Sequence, residues 1–358
     1  MVKFKKLIFY PLFFTVTYFI YVYPYDVLNY FFFQENIFKT SSIIFSFIPY
    51  LVIIFYFKTH NTFFLLRLYV YEGMGVGFIS FWFVNLGLLI DSFFSIRSFD
   101  IGIISISFIF IITLYSLING RLISIKNMEI HSPKVKNKIR IIFLSDMHLG
   151  TNQKKHLKKI YMKIKDLEFD LFLIGGDLID SSSFKLDDLD IFNNIKKPIL
   201  FINGNHEYYI KDYEKKMKQL NKYNLSFLDD SHRIFKNINI IGISDQQKLE
   251  SQKTKVKKYY RENFFNLVVV HKPTLWDSVK DKTDLMLSGH THNGQIFKLN
   301  LFVTLQFKNI YGLYEKSNSN LYVSSGSGCW GPKMRLGSKN EIVSIQISNN
   351  QDKNGTQP

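Results

Sequence analysis

The sequence predicts an N-terminal bundle of transmembrane α-helices followed by an α/β domain, and two observations support this fold class. Residues 1–120 contain four long, predominantly apolar runs with no acidic residue inside any of them. From residue 139 onward, short apolar runs alternate with lysine-rich segments whose apolar residues recur at helical spacing, which is typical of strand–helix–strand units. The 358 residues are also enough for two or three structural units.

The four apolar runs cover residues 7–23, 38–57, 73–90 and 101–117. Each is close to the roughly 17 to 25 residues that a helix needs to cross a bilayer. The first run follows Lys3, Lys5 and Lys6, as in a signal peptide, but it lacks a cleavage site of small residues and three further runs follow it. We therefore expect all four runs to be retained as spans of a transmembrane domain over residues 1–120.

Lysine and arginine residues near the spans predict the orientation of the chain. With the N-terminus inside, eleven of these basic residues lie on the inner side and two on the outer side. The positive-inside rule then places both termini in the cytoplasm. This predicts a multi-pass protein of the inner (plasma) membrane whose C-terminal domain faces the cytoplasm.

Polar segments border the C-terminal domain. Residues 121–138 form a basic connector, whose lysines either lie near anionic headgroups or belong to an ordinary solvated linker. Residues 348–358 have the composition of a disordered polar tail. The single cysteine, Cys329, excludes an intramolecular disulfide, and it is better interpreted as a small packing residue than as a nucleophile.

Ionisable and amide side chains follow five of the short apolar runs, at the points where the predicted strands end. They are Asp146 and His148, Asp177 and Asp180, Asn205 with His206 and Glu207, His271, and His290 with His292. Open α/β sheets bind their ligands just beyond the carboxyl ends of the strands. A lone core histidine is usually structural, but five of the nine histidines fall at these ends. The pattern therefore predicts a functional site.

The residue types at these strand ends predict metal chemistry. Carboxylate, imidazole and amide groups without a thiolate suit manganese, iron, zinc or similar divalent ions. One four-coordinate ion cannot use seven ligands, whereas two ions that share a bridging carboxylate can. Such a pair clamps an in-line displacement at phosphorus, and it lowers the pKa of a shared water so that this water attacks as hydroxide. The seven candidate ligands are Asp146, His148, Asp177, Asn205, His271, His290 and His292.

Five ordered motifs resemble the calcineurin-like metallophosphoesterase superfamily, and the N-terminal spans resemble its bacterial membrane-anchored branch. The motifs are Asp146-x-His148, Gly176-Asp177-x-x-Asp180, Gly204-Asn205-His206-Glu207, Val270-His271 and Gly289-His290-x-His292. The resemblance implies a metallophosphoesterase domain over residues 139–347, with two sheets forming a sandwich flanked by helices in four layers. It also implies two metal sites that share Asp177: one completed by Asp146, His148 and His292, the other by Asn205, His271 and His290.

The resemblance also implies roles for residues beside the metals. His206 faces the phosphate and helps the leaving oxygen depart, while Asp180 either orients His206 or is a turn carboxylate; Glu207 is interpreted as structural. Protein serine/threonine phosphatases of the superfamily continue the second motif with Arg-Gly, where this chain has Ser181-Ser182. Arg335 then either supplies a phosphate contact or is a solvated loop residue.

Three functions are compared on these observations. The first is a membrane-anchored hydrolase of phosphomono- or phosphodiesters, with lipids or nucleotide-linked lipids as candidate substrates and membrane lipids as partners. The second is a nuclease, suggested by the basic part of the chain after residue 120, which carries +14 of the net charge of +16. Membrane anchoring and the lack of a basic groove interleaved with aromatic residues argue against a stable nucleic-acid partner. The third is an inactive scaffold, which the complete set of seven candidate ligands disfavours. We therefore predict a metal-dependent phosphoric ester hydrolase.

Overall fold

The computed structural model describes residues 2–59 and 63–349. The chain forms two compact units. The first contains the helices up to Asn119 together with Gly331–Met334, and the second contains Gly120–Trp330 and the chain from Arg335 onward.

The first unit is helical. In the described residues three helical segments are long and apolar enough to cross a membrane: Thr40–Thr59, Phe64–Phe93 and Ser98–Asn119. The predicted span at residues 7–23 falls mainly on the helix Val2–Tyr21, which is not among the three. The helices are α1 (Val2–Tyr21), α2 (Tyr23–Phe33), α3 (Thr40–Phe45), α4 (Phe47–Thr59), α5 (Phe64–Phe93) and α6 (Ser98–Asn119).

Glycines allow the helices of this unit to approach one another closely. A Cβ at Gly77 of α5 would lie 2.1 Å from the carbonyl oxygen of Ile20 in α1, and a Cβ at Gly102 of α6 would lie 3.0 Å from Phe31 of α2. Small residues at such crossings are typical of membrane helices, where close van der Waals packing holds the helices together.

The second unit contains two six-stranded sheets. The first sheet has the order β1-β12-β2-β3-β4-β5, and the second has the order β10-β11-β9-β8-β7-β6. Strands β2 to β5 are mutually parallel, as are β7, β8, β9 and β11. The strands are β1 (Ile123–His131), β2 (Ile139–Leu144), β3 (Leu171–Gly175), β4 (Ile199–Ile202), β5 (Leu225–Phe227), β6 (Ser231–Phe235), β7 (Ile238–Ile243), β8 (Phe265–Val270), β9 (Leu285–Ser288), β10 (Gly312–Lys316), β11 (Ser319–Val323) and β12 (Asn340–Ser348).

Alternate strand residues build the layers of this unit. In β2, Ile141 and Phe143 belong to the core between the two sheets, whereas Ile142 and Leu144 pack against the helix layer outside the first sheet. A further cluster covers the outer face of the second sheet. The predicted α/β domain with two sheets flanked by helices is therefore confirmed. The remaining α-helices are α7 (Lys154–Ile164), α8 (Tyr213–Gln219), α9 (Leu249–Tyr259), α10 (Trp276–Val279) and α11 (Leu299–Gln306).

Strand β1 lies inside the segment that the sequence predicted to be a basic connector. It pairs in parallel with β12 over nine residues, from Ile123 opposite Asn340 to His131 opposite Ser348. Most of β1 faces away from the core, so its side chains lack the strong apolar pattern of a buried strand. The predicted tail begins at Ser348, which ends β12; from residue 350 onward this tail lies outside the described residues.

Candidate metal centre

The two sheets bring the five predicted strand ends together. Strands β2, β3 and β4 are neighbours in the first sheet, and β8 and β9 are neighbours in the second. Because neighbouring parallel strands end at one edge, the residues that follow them share that edge.

Unusual backbone conformations support the candidate ligands. Left-handed φ angles are costly for non-glycine residues and persist mainly where the surrounding structure enforces them, often at functional sites. Five of the seven candidate ligands have such angles: Asp146 (54°), His148 (47°), Asp177 (52°), His290 (71°) and His292 (51°).

One group of potential ligand atoms comes from Asp146, His148 and His292. All three atoms lie within 4.8 Å of one another. The Nε2 atoms of the two histidines are 3.0 Å apart, and Asp146 Oδ1 is 3.5 Å from His292 Nε2. Two imidazole nitrogens and a carboxylate oxygen this close can ligate a single cation.

A second group comes from Asp177, His271 and His290. Asp177 Oδ2 lies 3.0 Å from His271 Nε2 and 3.8 Å from His148 Nε2. The Asp177 carboxylate, a member of the second group, thus also lies within 4 Å of a histidine of the first group.

The side-chain oxygen of Asn205 gives independent support for metal binding. Its Oδ1 atom is buried and has no hydrogen-bond partner among the described residues. A buried acceptor without a donor is costly, and a cation would satisfy this oxygen. The available oxygen and nitrogen donors thus fit divalent ions.

The charges of the centre also favour a cation. Burial opposes the charged form of His271, but the carboxylates of Asp177 and Asp146 raise its pKa to about 10. Burial likewise opposes the charged form of Asp177, yet the neighbouring histidines hold its pKa well below the usual value. A divalent ion would supply positive charge here more strongly than a proton does.

Comparisons with known proteins agree with this geometry. A family model described as Calcineurin-like phosphoesterase matches residues 139–294. A metallophosphoesterase of Campylobacter jejuni is 31% identical over 265 residues, which cover 70% of this chain and 69% of that protein. The chain belongs to the calcineurin-like metallophosphoesterase family. The predicted resemblance is thus confirmed.

Two further relatives are similar to part of this chain. One from Helicobacter pylori is 34% identical over 235 residues, which cover 62% of this chain; the chain spans 63% of that relative's length. A Danio rerio protein named transmembrane protein with metallophosphoesterase domain is 29% identical over 266 residues, or 66% of this chain and 60% of that protein.

In this metallophosphoesterase domain Asp180 contacts His148, which differs from the expected contact with His206. Asp180 Oδ2 lies 3.4 Å from His148 Nδ1, and Oδ1 accepts the backbone N–H of Thr151 at 2.8 Å. A carboxylate beside the far nitrogen of a ligating histidine helps to orient its ring, although at 3.4 Å this pair is not aligned as a hydrogen bond. The spacing of Asp180 in the motif could not reveal which histidine it meets.

His206 is more exposed than His148 and His271, whose side chains are almost fully buried. Its side chain is 17% exposed, and its Nε2 lies 3.9 Å from Asp177 Oδ2. Burial and the nearby His148 lower the pKa of His206 to about 4. His206 also forms a third group of potential ligand atoms with His148 and Asp177, so the geometry admits it as a ligand. Its assignment to the phosphate stays a prediction.

Glu207, interpreted as structural from the sequence, joins two of the ligand-bearing loops. The side chain is fully buried. Its Oε2 accepts the backbone N–H groups of Asp177 and Gly204 at 3.0 and 2.8 Å, and its Oε1 accepts that of Ile179 at 2.9 Å. Glu207 therefore positions the loops that carry Asp177 and Asn205.

Arg335 is not solvated, and its donors face acceptors of the protein itself, which disagrees with both sequence interpretations. The side chain is fully buried. Its guanidinium donates to the carbonyl oxygens of His292 at 2.8 Å, and of Ser325 and Gly328 at 2.7 Å each. A planar group with five donors suits such a cluster of carbonyls, and here it fixes the backbone of a candidate ligand.

The loop after β11 also borders the centre, and the sequence analysis missed it. A Cβ at Gly326 would lie 2.9 Å from Cβ of Asp146 and 3.2 Å from Nδ1 of His292. Gly326 has φ of 84°, so glycine is required for both space and conformation. The signal was a Ser/Gly-rich stretch, residues 324–328, directly after an apolar run.

Proposed function

We propose that the protein is a membrane-anchored phosphoesterase that uses two divalent metal ions to hydrolyse a phosphomono- or phosphodiester. The observation that carries this proposal is the Asp177 carboxylate, which lies within 4 Å of histidines from both groups of potential ligand atoms. When bound, two such ions supply Lewis acidity at phosphorus and activate water near neutral pH.

The chain's own residues have separate tasks in this proposal. Asp146, His148 and His292 hold one ion, and Asp180 orients the ring of His148. Asn205, His271 and His290 hold the second, while Asp177 contributes to both. His206 donates its N–H to the phosphate or to the leaving oxygen. Because its pKa is lowered to about 4, the free His206 side chain is neutral near pH 7 and donates a hydrogen bond as imidazole. A bound anionic substrate raises that pKa, which allows His206 to carry a proton for the leaving oxygen.

The proposed substrate class is a phosphoester of a lipid or of a nucleotide-linked lipid. The support is the presence in one chain of helices that could cross a membrane and of the metal centre. The Danio rerio relative, by its name, has the same combination. A screen of lipid-linked, nucleotide and artificial esters would distinguish this class from soluble substrates.

Metal removal tests the reaction. We expect the chelator-treated protein to lose hydrolysis of an artificial phosphodiester and to regain it with Mn²⁺ or a similar ion, with about two ions bound per chain, because the ligand atoms form two groups that share Asp177. Metal analysis alongside the assay checks both statements, with mock-treated protein as control. Activity that survives thorough metal removal would contradict the proposal.

Labelling of introduced cysteines tests the proposed cytoplasmic orientation. The native Cys329 is buried, whereas Ile234 in the metallophosphoesterase domain and Ile96 between α5 and α6 are 44% and 47% exposed. We expect an impermeant maleimide to label Ile96→Cys in intact cells, but Ile234→Cys only after permeabilisation, because basic residues cluster after α6. The opposite pattern would overturn the orientation.

A further inference from the structure

A basic groove lies where the second unit begins. It has a volume of about 440 Å³ and is lined by eight residues: Arg121, Leu122, Ile123, Lys155, Lys158, Lys159, Met162 and Lys163. Five of these residues carry a positive charge and none carries a negative one. We call this site the α7 groove.

The sequence of α7 explains why its lysines face the groove. Leu157, Ile160 and Ile164 are buried in the cluster outside the first sheet. Helical periodicity therefore places the intervening lysines on the opposite, exposed side. The burial of one face forces the lysines together on the other.

The cations of the α7 groove have no carboxylate partner among the described residues. Other lysines of the unit do: Lys154, the first residue of α7, lies 3.3 Å from Asp188 and 3.2 Å from Asp190, and Lys255 of α9 lies 2.6 Å from Asp230. Five uncompensated like charges around one groove repel one another. An anionic ligand would relieve this repulsion.

The chain positions the groove near a bilayer if α6 spans it. Arg121 follows the end of α6 at Asn119 by two residues, which is at most about 7 Å of extended chain. Two groove residues are apolar and strongly exposed: Leu122 at 60% and Met162 at 57%. Apolar surface beside clustered cations fits a molecule with a charged headgroup and a hydrocarbon portion.

We propose that the α7 groove binds the headgroup of an anionic phospholipid, with its phosphate among the lysines and its glycerol and acyl portion against Leu122 and Met162. The proposal rests on the membrane anchoring in the proposed function but not on catalysis. Basic residues directly after a span attract anionic lipids. Bound lipid would tie the second unit to the membrane surface through residues other than those of the metal centre.

Two charge-matched variants of the full chain test this proposal. The groove variant carries Lys155→Gln, Lys158→Gln, Lys159→Gln and Lys163→Gln. The control carries Lys253→Gln, Lys255→Gln, Lys257→Gln and Lys258→Gln on α9, which also has four lysines, two of them within 4 Å of carboxylates. Both changes remove four charges, so a general loss of attraction affects them equally.

The measurement is binding of a fluorescent short-chain phosphatidylglycerol to detergent-solubilised protein, with the thermal midpoint of each variant as a check of folding. We expect the Kd to rise at least about tenfold in the groove variant and less than about twofold in the control. We also expect a zwitterionic phosphatidylcholine probe to bind more weakly. Because phosphatidylglycerol is itself a lipid phosphodiester, the measurement uses chelator-treated protein, so that the metal centre does not hold or hydrolyse the probe and the result is independent of the proposed reaction.

Three outcomes would overturn the proposal. An equal loss in both variants would show attraction by net charge alone. Full competition by inorganic phosphate at the same concentration as the lipid would show a small-anion site without lipid selectivity. Unchanged lipid binding in a folded groove variant would place the lipid elsewhere.

Discussion

Asp177→Asn is expected to lower kcat/KM at least about 10³-fold, which equals about 4 kcal/mol of transition-state stabilisation, and to deplete metal from both groups. Asp177 Oδ1 accepts the backbone N–H of His206 at 2.9 Å, while Oδ2 lies 3.0 Å from His271 Nε2. In the asparagine variant, the amide oxygen continues to accept the backbone N–H of His206. The amide nitrogen then faces the metal positions, where it cannot act as a ligand.

Two further variants are compared with Asp177→Asn: a matched control and a variant of the predicted proton donor. Asp166→Asn makes the same change on a side chain that is 82% exposed, and it should leave activity and metal content intact. His206→Ala should retain metal but slow turnover by about 10²–10⁴-fold, with a smaller loss for leaving groups that depart without a proton. Metal analysis and rates on a good and a poor leaving group measure all three variants. Full metal content in Asp177→Asn would refute the shared carboxylate.

Arg335→Met is expected to destabilise the second unit by about 3–5 kcal/mol, since removal of a buried charged donor leaves its partners unpaired. The carbonyl oxygens of His292, Ser325 and Gly328 all accept from this guanidinium. For a unit of this size such a loss lowers the thermal midpoint by about 10 °C. Metal affinity should also fall, because His292 loses the donor that fixes its backbone.

A conservative variant separates charge from geometry at this position. Arg335→Lys keeps the positive charge, but a single ammonium cannot reproduce the fork of donors that reaches several carbonyls. We expect an intermediate thermal midpoint. A midpoint equal to that of the native protein, measured in the same detergent, would show that the charge alone matters.

Strand ends were the most informative feature of the sequence. Asp146, Asp177, His271 and His290 each follow a short apolar run, and the order of neighbouring parallel strands brings those runs to one edge. Local pattern and topology agree here, so residues distant in sequence could be assigned to one site before the structure was known.

Side-chain partners were harder to predict. Asp180 was predicted either to orient His206 or to be a turn carboxylate, yet it lies beside His148. Arg335 was predicted to contact a phosphate or to lie in solvent, yet it is buried, as arginine rarely is, and it donates to three backbone carbonyls. Such choices depend on loop paths, which the periodicity of strands and helices does not encode.

A weak amphipathic pattern explains why the segment of strand β1 was predicted to be a connector. Strand β1 carries mostly exposed residues, so nothing in its composition distinguished it from a linker. Helix α1 contains most of the predicted first span, residues 7–23, and that span stays a prediction.

The pairing of β1 with β12 decides where a soluble recombinant fragment can begin. A fragment starting at Ile139, the first residue of the family match, would lack β1 and leave nine residues of β12 as an unprotected sheet edge, which is a template for aggregation. A start at Gly120 keeps β1, together with the carbonyls of Gly120 and Leu122 that accept from Asn340 Nδ2. Expression trials of this domain should therefore begin at Gly120.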